Sequence, residues 1–385
     1  MAETAGRTKK KKPRRFYDYS LMFTIIFLTV FGLIMIYSSS SYNAQIAGLP
    51  ASYYMLKQGK IALGGFVLML FISKLNYHFF AKFTVPAVVV SYICVILVNF
   101  TSLGIEANGK KRWLGVGSLS FQPAELVKVT VILAMAVMIT RLGKRVDEWR
   151  SWGIMAAIIF PLALLVTANN LSSGIIICGI AFVMMFIACR KKWPFVTCVL
   201  LAAAAMVFAP PVATALLNAG LLHDYQLSRI LVWKNPENYP QSGGYQVLQG
   251  LYAIGSGGLL GKGLGESIQK LSFLPEPQND MIFAIICEEL GLFGAVSVIL
   301  MFLFMIYRFV VIAGNAPDLF GAMLVVGVMA HIAIQVILNI AVVTNVIPNT
   351  GITLPFISYG GTSVLFLMIE MGIVLSVSNQ IKLEK

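Results

Sequence analysis

The chain has 385 residues, of which 58% are hydrophobic and 12% charged, and its mean hydropathy is +0.83. Soluble domains carry roughly one-quarter charged residues, so this composition excludes a soluble globular class and points to a polytopic membrane protein. Lys and Arg outnumber Asp and Glu by 29 to 16, a net charge of +13, but the excess sits in short segments between apolar runs, and no nucleic-acid partner is expected.

In chain order, apolar runs of spanning length lie at Tyr19–Tyr37, Gly59–Ile72, Phe83–Phe100, Phe121–Thr140, Trp152–Ala168, Ser172–Cys189, Trp193–Leu217, Met281–Val311, Leu319–Val346 and Ser363–Val377. The expected fold is therefore all-α, a polytopic membrane protein of about ten transmembrane helices with a large extracellular loop. Basic residues set its orientation. Arg7, Lys9 to Lys12, Arg14 and Arg15 precede the first run, Lys74 and Lys82 flank the second link, and Arg141, Lys144, Arg145 and Arg150 crowd the fourth. Arg190, Lys191 and Lys192 follow the sixth run and Arg308 the eighth. With alternating spans all of these share one side, which the positive-inside rule assigns to the cytoplasm together with both termini. A cleaved signal peptide is the competing reading of the first run, but Leu21 to Tyr37 is long enough to span and the downstream topology works with it retained. The division expected is 1–17 as a basic cytoplasmic tail, 18–380 as one transmembrane domain with 218–279 as its large outer loop, and 381–385 as a second cytoplasmic tail.

The unusual chemistry falls on the outer side. Outer loops should be poor in Lys and Arg, yet Lys111 and Arg112 stand beside Trp113, a pattern that suits an anionic ligand. Arg229, Lys234, Lys262 and Lys270 read instead as a solvated face or headgroup contacts. Glu125 and Lys128 lie three residues apart just after Pro123, on one helix face, either neutralising each other or lining a cavity for phosphate and sugar hydroxyls. Asp280 is delivered to the start of an apolar helix by a loop stiffened by Pro275 and Pro277, and a carboxylate at membrane depth is a functional-site candidate by default. Glu288, Glu289 and Glu370 are further embedded acids, with Glu289 read as a packing acid.

The segment Ile347–Ser363 holds two prolines and a Gly-Gly pair, so it is non-helical backbone near membrane depth and should wall the same cavity as Asp280. Its Ser358 is a hydroxyl candidate with no His or Lys nearby to activate it as a nucleophile. His78, His223 and His331 are dispersed without metal spacing, and His331 reads as a helix-packing hydrogen-bonder. The five cysteines, an odd number in apolar runs, read as packing residues.

Several motifs together carry a resemblance: Lys-Arg-Trp at 111–113, Gln-Pro-Ala-Glu-Leu-Val-Lys at 122–128, Arg-Ile-Leu-Val-Trp-Lys-Asn-Pro at 229–236, the glycine-rich 253–265, Leu-Pro-Glu-Pro-Gln-Asn-Asp-Met-Ile-Phe-Ala at 274–284 and Leu-Pro-Phe-Ile-Ser-Tyr-Gly-Gly at 354–361. The chain resembles the SEDS family of shape, elongation, division and sporulation proteins, and within it the FtsW/SpoVE type more than the RodA type. The resemblance implies a peptidoglycan glycosyltransferase that polymerises lipid II beside a class B penicillin-binding protein and other division proteins in the cytoplasmic membrane of a bacterium. It implies Asp280 as the catalytic residue, with Arg112, Glu125, Lys128 and Ser358 around the substrate cavity. Two departures stand out: Asn169-Asn170-Leu171-Ser172-Ser173 replaces the family's Pro-Asp-Leu-Gly-Thr, removing a carboxylate, and Pro277-Gln278-Asn279 replaces its commoner Ala/His-His-Thr.

The reaction so implied needs one base and one anion clamp. Asp280 is the candidate general base, Lys111, Arg112 and Lys128 are the candidates for stabilising the undecaprenyl pyrophosphate leaving group, and Trp113 and Glu125 are further substrate-binding candidates. A divalent cation, Mg or Mn, is the only cofactor the chemistry invites, and no ligand cluster in the sequence calls for one. Two alternatives stay open: a lipid II flippase, whose path would also carry embedded charges, and a non-catalytic scaffold that activates a penicillin-binding protein.

Overall fold

A computed structural model describes residues 16–107, 110–116, 119–218 and 232–382. The expectations for Arg7, Lys9 to Lys12, Arg14, Arg15, His223 and Arg229 fall outside these residues. Twelve α-helices are described: α1 Tyr19–Ile46, α2 Tyr53–Lys74, α3 His78–Lys82, α4 Thr84–Phe100, α5 Pro123–Leu142, α6 Trp149–Asn169, α7 Leu171–Ala188, α8 Trp193–Asn218, α9 Tyr245–Gly257, α10 Ile282–Gly314, α11 Leu319–Val343 and α12 Gly361–Ser378. Eight of them (α1, α2, α5, α6, α7, α10, α11 and α12) are long and apolar enough to cross a membrane; α4 and the Trp193–Phe208 part of α8 are shorter apolar helices. The architecture is an all-α, multi-pass membrane protein.

Local chemistry explains where the helices start. The Asp18 carboxylate caps α1 by accepting from Leu21 N at 2.9 Å, and Asp318 caps α11 by accepting from Gly321 N at 2.8 Å. Helix α5 begins with Pro123 in its first turn, carries Glu125 there and ends with Arg141, so both ends complement the helix dipole. Helices α5, α11 and α12 are the most enclosed, with 61%, 67% and 67% of their spanning windows buried, and they form the centre of the bundle. The described chain ends meet at one end of it: Phe16 N donates to Ile381 O at 3.1 Å, and Asp18 pairs with Arg308 at 2.7 Å. Phe16 and Tyr17 pack on the core, so the transmembrane body begins slightly before residue 18.

Three connecting segments differ from the sequence reading. Residues 38–46, beyond the end of the first apolar run, continue α1. Between the third and fourth apolar runs lies an antiparallel sheet in the order β1 Gly104–Ala107, β2 Lys110–Val116, β3 Leu119–Phe121. The expected long outer loop holds α9 and then turns back against the kinked start of α10. That kink is at Gly291, whose φ of 64° opens the helix. The backbone groups released there are satisfied by the preceding loop: Lys262 N donates to Glu288 O and Gly263 N to Glu289 O, both at 3.0 Å, while Leu292 N donates to Gly258 O at 2.9 Å. Backbone at membrane depth needs such internal partners.

The same loop corrects the reading of Lys262 and Lys270 as a solvated face, while Lys234 is exposed as expected. Lys262 pairs with Glu288 at 2.6 Å and the buried Lys270 with Glu289 at 2.8 Å, and Glu289 also accepts from Ser38 of α1 at 2.6 Å. The two acids therefore anchor the loop to α10, and Glu289 is the packing acid expected. Once the loop folds back, leaving an acid unpaired in the core would cost far more than ordering a lysine beside it.

Candidate active site

At the end of the bundle opposite the chain termini, a cavity of about 470 Å³ is enclosed by α2, β2, the start of α5, the α6–α7 link, the loop before α10 and the loop 344–360. Its lining includes Asp280, Arg112, Trp113 and Glu125 of the expected residues, and Lys57, Glu276, Thr353 and Tyr359, which sequence reasoning passed over.

Asp280 is 9% exposed. Its carboxylate accepts from its own backbone amide, from Met281 N–H and from the side chain of Gln246 on α9. Gln246 is oriented by Asn349, whose Nδ2 donates to Gln246 Oε1 at 3.0 Å, leaving the Gln246 amide nitrogen for Asp280. Burial dominates over these bonds and, with the nearby Glu276 charge, pushes the carboxyl from its ordinary 3.8 up to about 7. A carboxylate tuned near neutrality is suited to accept a proton at physiological pH.

Strand β2 reaches the opposite wall. Arg112 Nε donates to the Asn169 carbonyl at 3.1 Å, tying the strand to the α6–α7 link. That link is where the chain departs from the motif of the family it resembles. Here Asn170 caps α7 by accepting from Ser173 N at 3.1 Å, and Ser172 Oγ donates to Thr350 O at 2.5 Å, joining α7 to the loop 344–360. Glu125 Oε1 lies 2.9 Å from Lys128 Nζ, whereas its Oε2 has no partner among the described residues and belongs to a side chain lining the cavity.

Three expected residues stand behind the lining. Lys128 is 1% exposed, beneath Glu125. Lys111 lines a separate recess that it shares with Arg112 and donates to Thr101 O at 3.3 Å, whereas Arg112, the extra residue where β2 bulges against β1, also reaches the larger space. Ser358 is buried, its Oγ accepting from Leu354 N at 2.7 Å and its carbonyl from Gln58 at 3.3 Å, so it holds the turn that shapes the wall.

The family model described as cell cycle protein, spanning FtsW, RodA and SpoVE, matches residues 19–383. Stage V sporulation protein E of Bacillus subtilis is 36% identical over 96% of this chain and 98% of its own length. A probable peptidoglycan glycosyltransferase FtsW from Trichlorobacter lovleyi is 33% identical over 97% and 96%, and the Bacillus subtilis FtsW 35% over 97% and 93%. Among solved structures, a chain of a peptidoglycan synthase complex superposes with a TM-score of 0.75 at 26% identity, over 95% of this chain and 98% of that one. The Thermus thermophilus rod shape determining protein RodA, at 23% identity and a TM-score of 0.67 over 96% and 98%, shows the same fold. The motifs around Asp280, the cavity they enclose and these matches agree: the chain belongs to the FtsW/RodA/SpoVE family of SEDS proteins.

Proposed function

We propose that this chain is a peptidoglycan glycosyltransferase that polymerises lipid II at the outer face of a bacterial cytoplasmic membrane, acting in division or sporulation. The observation that carries the proposal is Asp280, a nearly buried carboxylate raised to about 7, facing Arg112, Trp113 and Glu125 across one enclosed cavity. Names borne by the relatives support the reaction class.

In the reaction, the Asp280 carboxylate takes the proton from an acceptor sugar hydroxyl as that oxygen bonds to the anomeric carbon of the donor. The bond from that carbon to undecaprenyl pyrophosphate breaks, its electron pair leaves on the diphosphate, and direct attack inverts the centre. Arg112 is placed to stabilise the charge developing on the diphosphate. Glu125 lines the cavity on the sugar side, held in place by Lys128 at 2.9 Å. Trp113 offers an apolar face beside them. Among the described residues no group of three or more His, Cys, Asp and Glu side chains comes together.

The proposal includes a class B penicillin-binding protein as partner, in keeping with the synthase complex to which the fold is similar, and both termini in the cytoplasm. The test is synthesis from lipid II by the detergent-purified chain with its partner. Glycan strands in the absence of any bilayer are the expected product. Transbilayer lipid II movement in vesicles with no strands formed in either setting would overturn the proposal in favour of a flippase.

A further inference from the structure

Helix α11 carries three polar side chains one turn apart, His331, Gln335 and Asn339, which spacing places on a single helix face. They are 1%, 2% and 0% exposed in a helix that is otherwise apolar. Polar groups so deep in a membrane protein are costly unless they find partners; the amide nitrogens of Gln335 and Asn339 find theirs in the backbone around the cavity, while Asn339 Oδ1 has none among the described residues.

Asn339 Nδ2 donates to Asp280 O at 2.9 Å and to Ile352 O at 2.7 Å. Both acceptors are carbonyls, so only the amide nitrogen can face them. One side chain thus joins the backbone of Asp280 to the backbone of the loop 344–360. One turn deeper, Gln335 Nε2 donates to Thr353 O at 3.0 Å, next to Ile352 on the same loop. Its Oε1 is therefore turned the other way, where it accepts from Lys128 Nζ at 3.3 Å and from His331 Nε2 at 2.8 Å. With a hydrogen on Nε2, His331 presents Nδ1 to Glu370 of α12 at 2.8 Å, a distance that requires one shared proton between ring and carboxyl.

We propose that Asn339 and Gln335 are positioning residues of the active site: α11 holds Asp280, the 352–353 wall and Lys128 in one register, and His331 with Glu370 fixes the Gln335 amide from below. This rests on the polymerase reading of the same cavity. None of these side chains lines the cavity, so they act through the groups that do. Losing the Asn339 clamp frees the Asp280 backbone from the loop opposite it. A misplacement of about 1 Å can cost about 100-fold in rate, and the looser site admits water to the carboxylate. The groups around Asp280 that then govern its titration are Glu276, Gln246 and the backbone amides of 280 and 281, with Lys57, Arg112 and Glu125 across the cavity.

The experiment measures kcat, KM for lipid II and the pH dependence of the rate for the full chain with its partner, in wild type, Asn339→Ala and Gln335→Met. The expected result for Asn339→Ala is a fall in kcat of about 10-fold to 100-fold with KM within about twofold, the scale of a positioning defect. Its rate should also begin to rise at lower pH than in wild type, because a hydrated carboxylate loses its proton more readily. For Gln335→Met a similar loss in kcat is expected. A purely structural role would lower the amount of folded enzyme and leave the pH limb of the remainder in place, and that result overturns the proposal, as does wild-type kcat in folded Asn339→Ala. If Asn339→Ala does not fold, Asn339→Ser, which can still donate to one carbonyl, carries the same comparison. Failure of both to fold together with wild-type kinetics in Gln335→Met counts against the proposal. A wild-type protein that makes no glycan at all would instead refute the polymerase reading itself.

Discussion

If Asp280 is raised by burial, replacing it with Asn should make the protein more stable, increasingly so as the pH rises. In the unfolded chain the carboxyl titrates at its ordinary 3.8, and in the folded chain at about 7. The group is protonated in both states below 3.8 and costs nothing there. Between the two values the unfolded chain ionises while the folded one holds its proton, so wild-type stability falls with rising pH, and above about 7 the loss is complete. At 1.36 kcal/mol per pH unit, the full penalty is on the order of 4 kcal/mol, of which about 3 kcal/mol develops between pH 5 and pH 8. Asn keeps the size and hydrogen bonding of the side chain and carries no charge to bury. Thermal unfolding of both proteins in the same detergent should therefore show a small excess Tm for Asp280→Asn at about pH 5, widening by several degrees at about pH 8. A gap independent of pH, or a variant less stable throughout, would refute the argument that desolvation raises this carboxyl.

Arg112→Ala should lower kcat/KM for lipid II by roughly 10-fold to 100-fold, the cost of about 1.5–3 kcal/mol for one charge-assisted contact, while normal use of limiting lipid II would place the diphosphate elsewhere. Lys128→Met should destabilise by about 3–5 kcal/mol, because it strands a buried Glu125. Adding Glu125→Gln should restore most of that stability without restoring activity, and thermal unfolding of the single and double variants checks it. Gly261→Ala should prevent the loop from docking on α10, since its φ is +79° and an added Cβ would lie 2.1 Å from Glu289 O. Faster proteolysis within 258–273 reports that outcome, and wild-type protection would contradict it.

Hydropathy made the membrane-embedded bundle legible, because spanning length and basic flanks are imposed by the bilayer itself. Asp280, Arg112 and Glu125 were legible as well, each being a charge where a charge is expensive. What stayed hidden depended on alternation and on distant partners. That Arg112 reaches the larger cavity while Lys111 does not goes with a bulged strand that the flanking loop composition did not announce. Lys262 and Lys270 looked solvated because their acids, Glu288 and Glu289, become neighbours only once the loop folds back on α10. Asn339 and Gln335 drew no notice as single uncharged residues in an apolar run, although their spacing from His331 by four and eight was a signal that could have been read. Ser358 looked like a candidate hydroxyl in a conspicuous motif, whereas its task is to bond Leu354 N and hold a turn.

The central claim is that Asp280 accepts the proton in chain growth. The measurement that tests it most directly is lipid II polymerisation by detergent-purified Asp280→Asn, supplied with its partner and compared with wild type at equal folded concentration. Glycan strands from the wild type and none from the variant, with lipid II still bound by both, is the predicted result; chain growth by Asp280→Asn at near wild-type rate would contradict it.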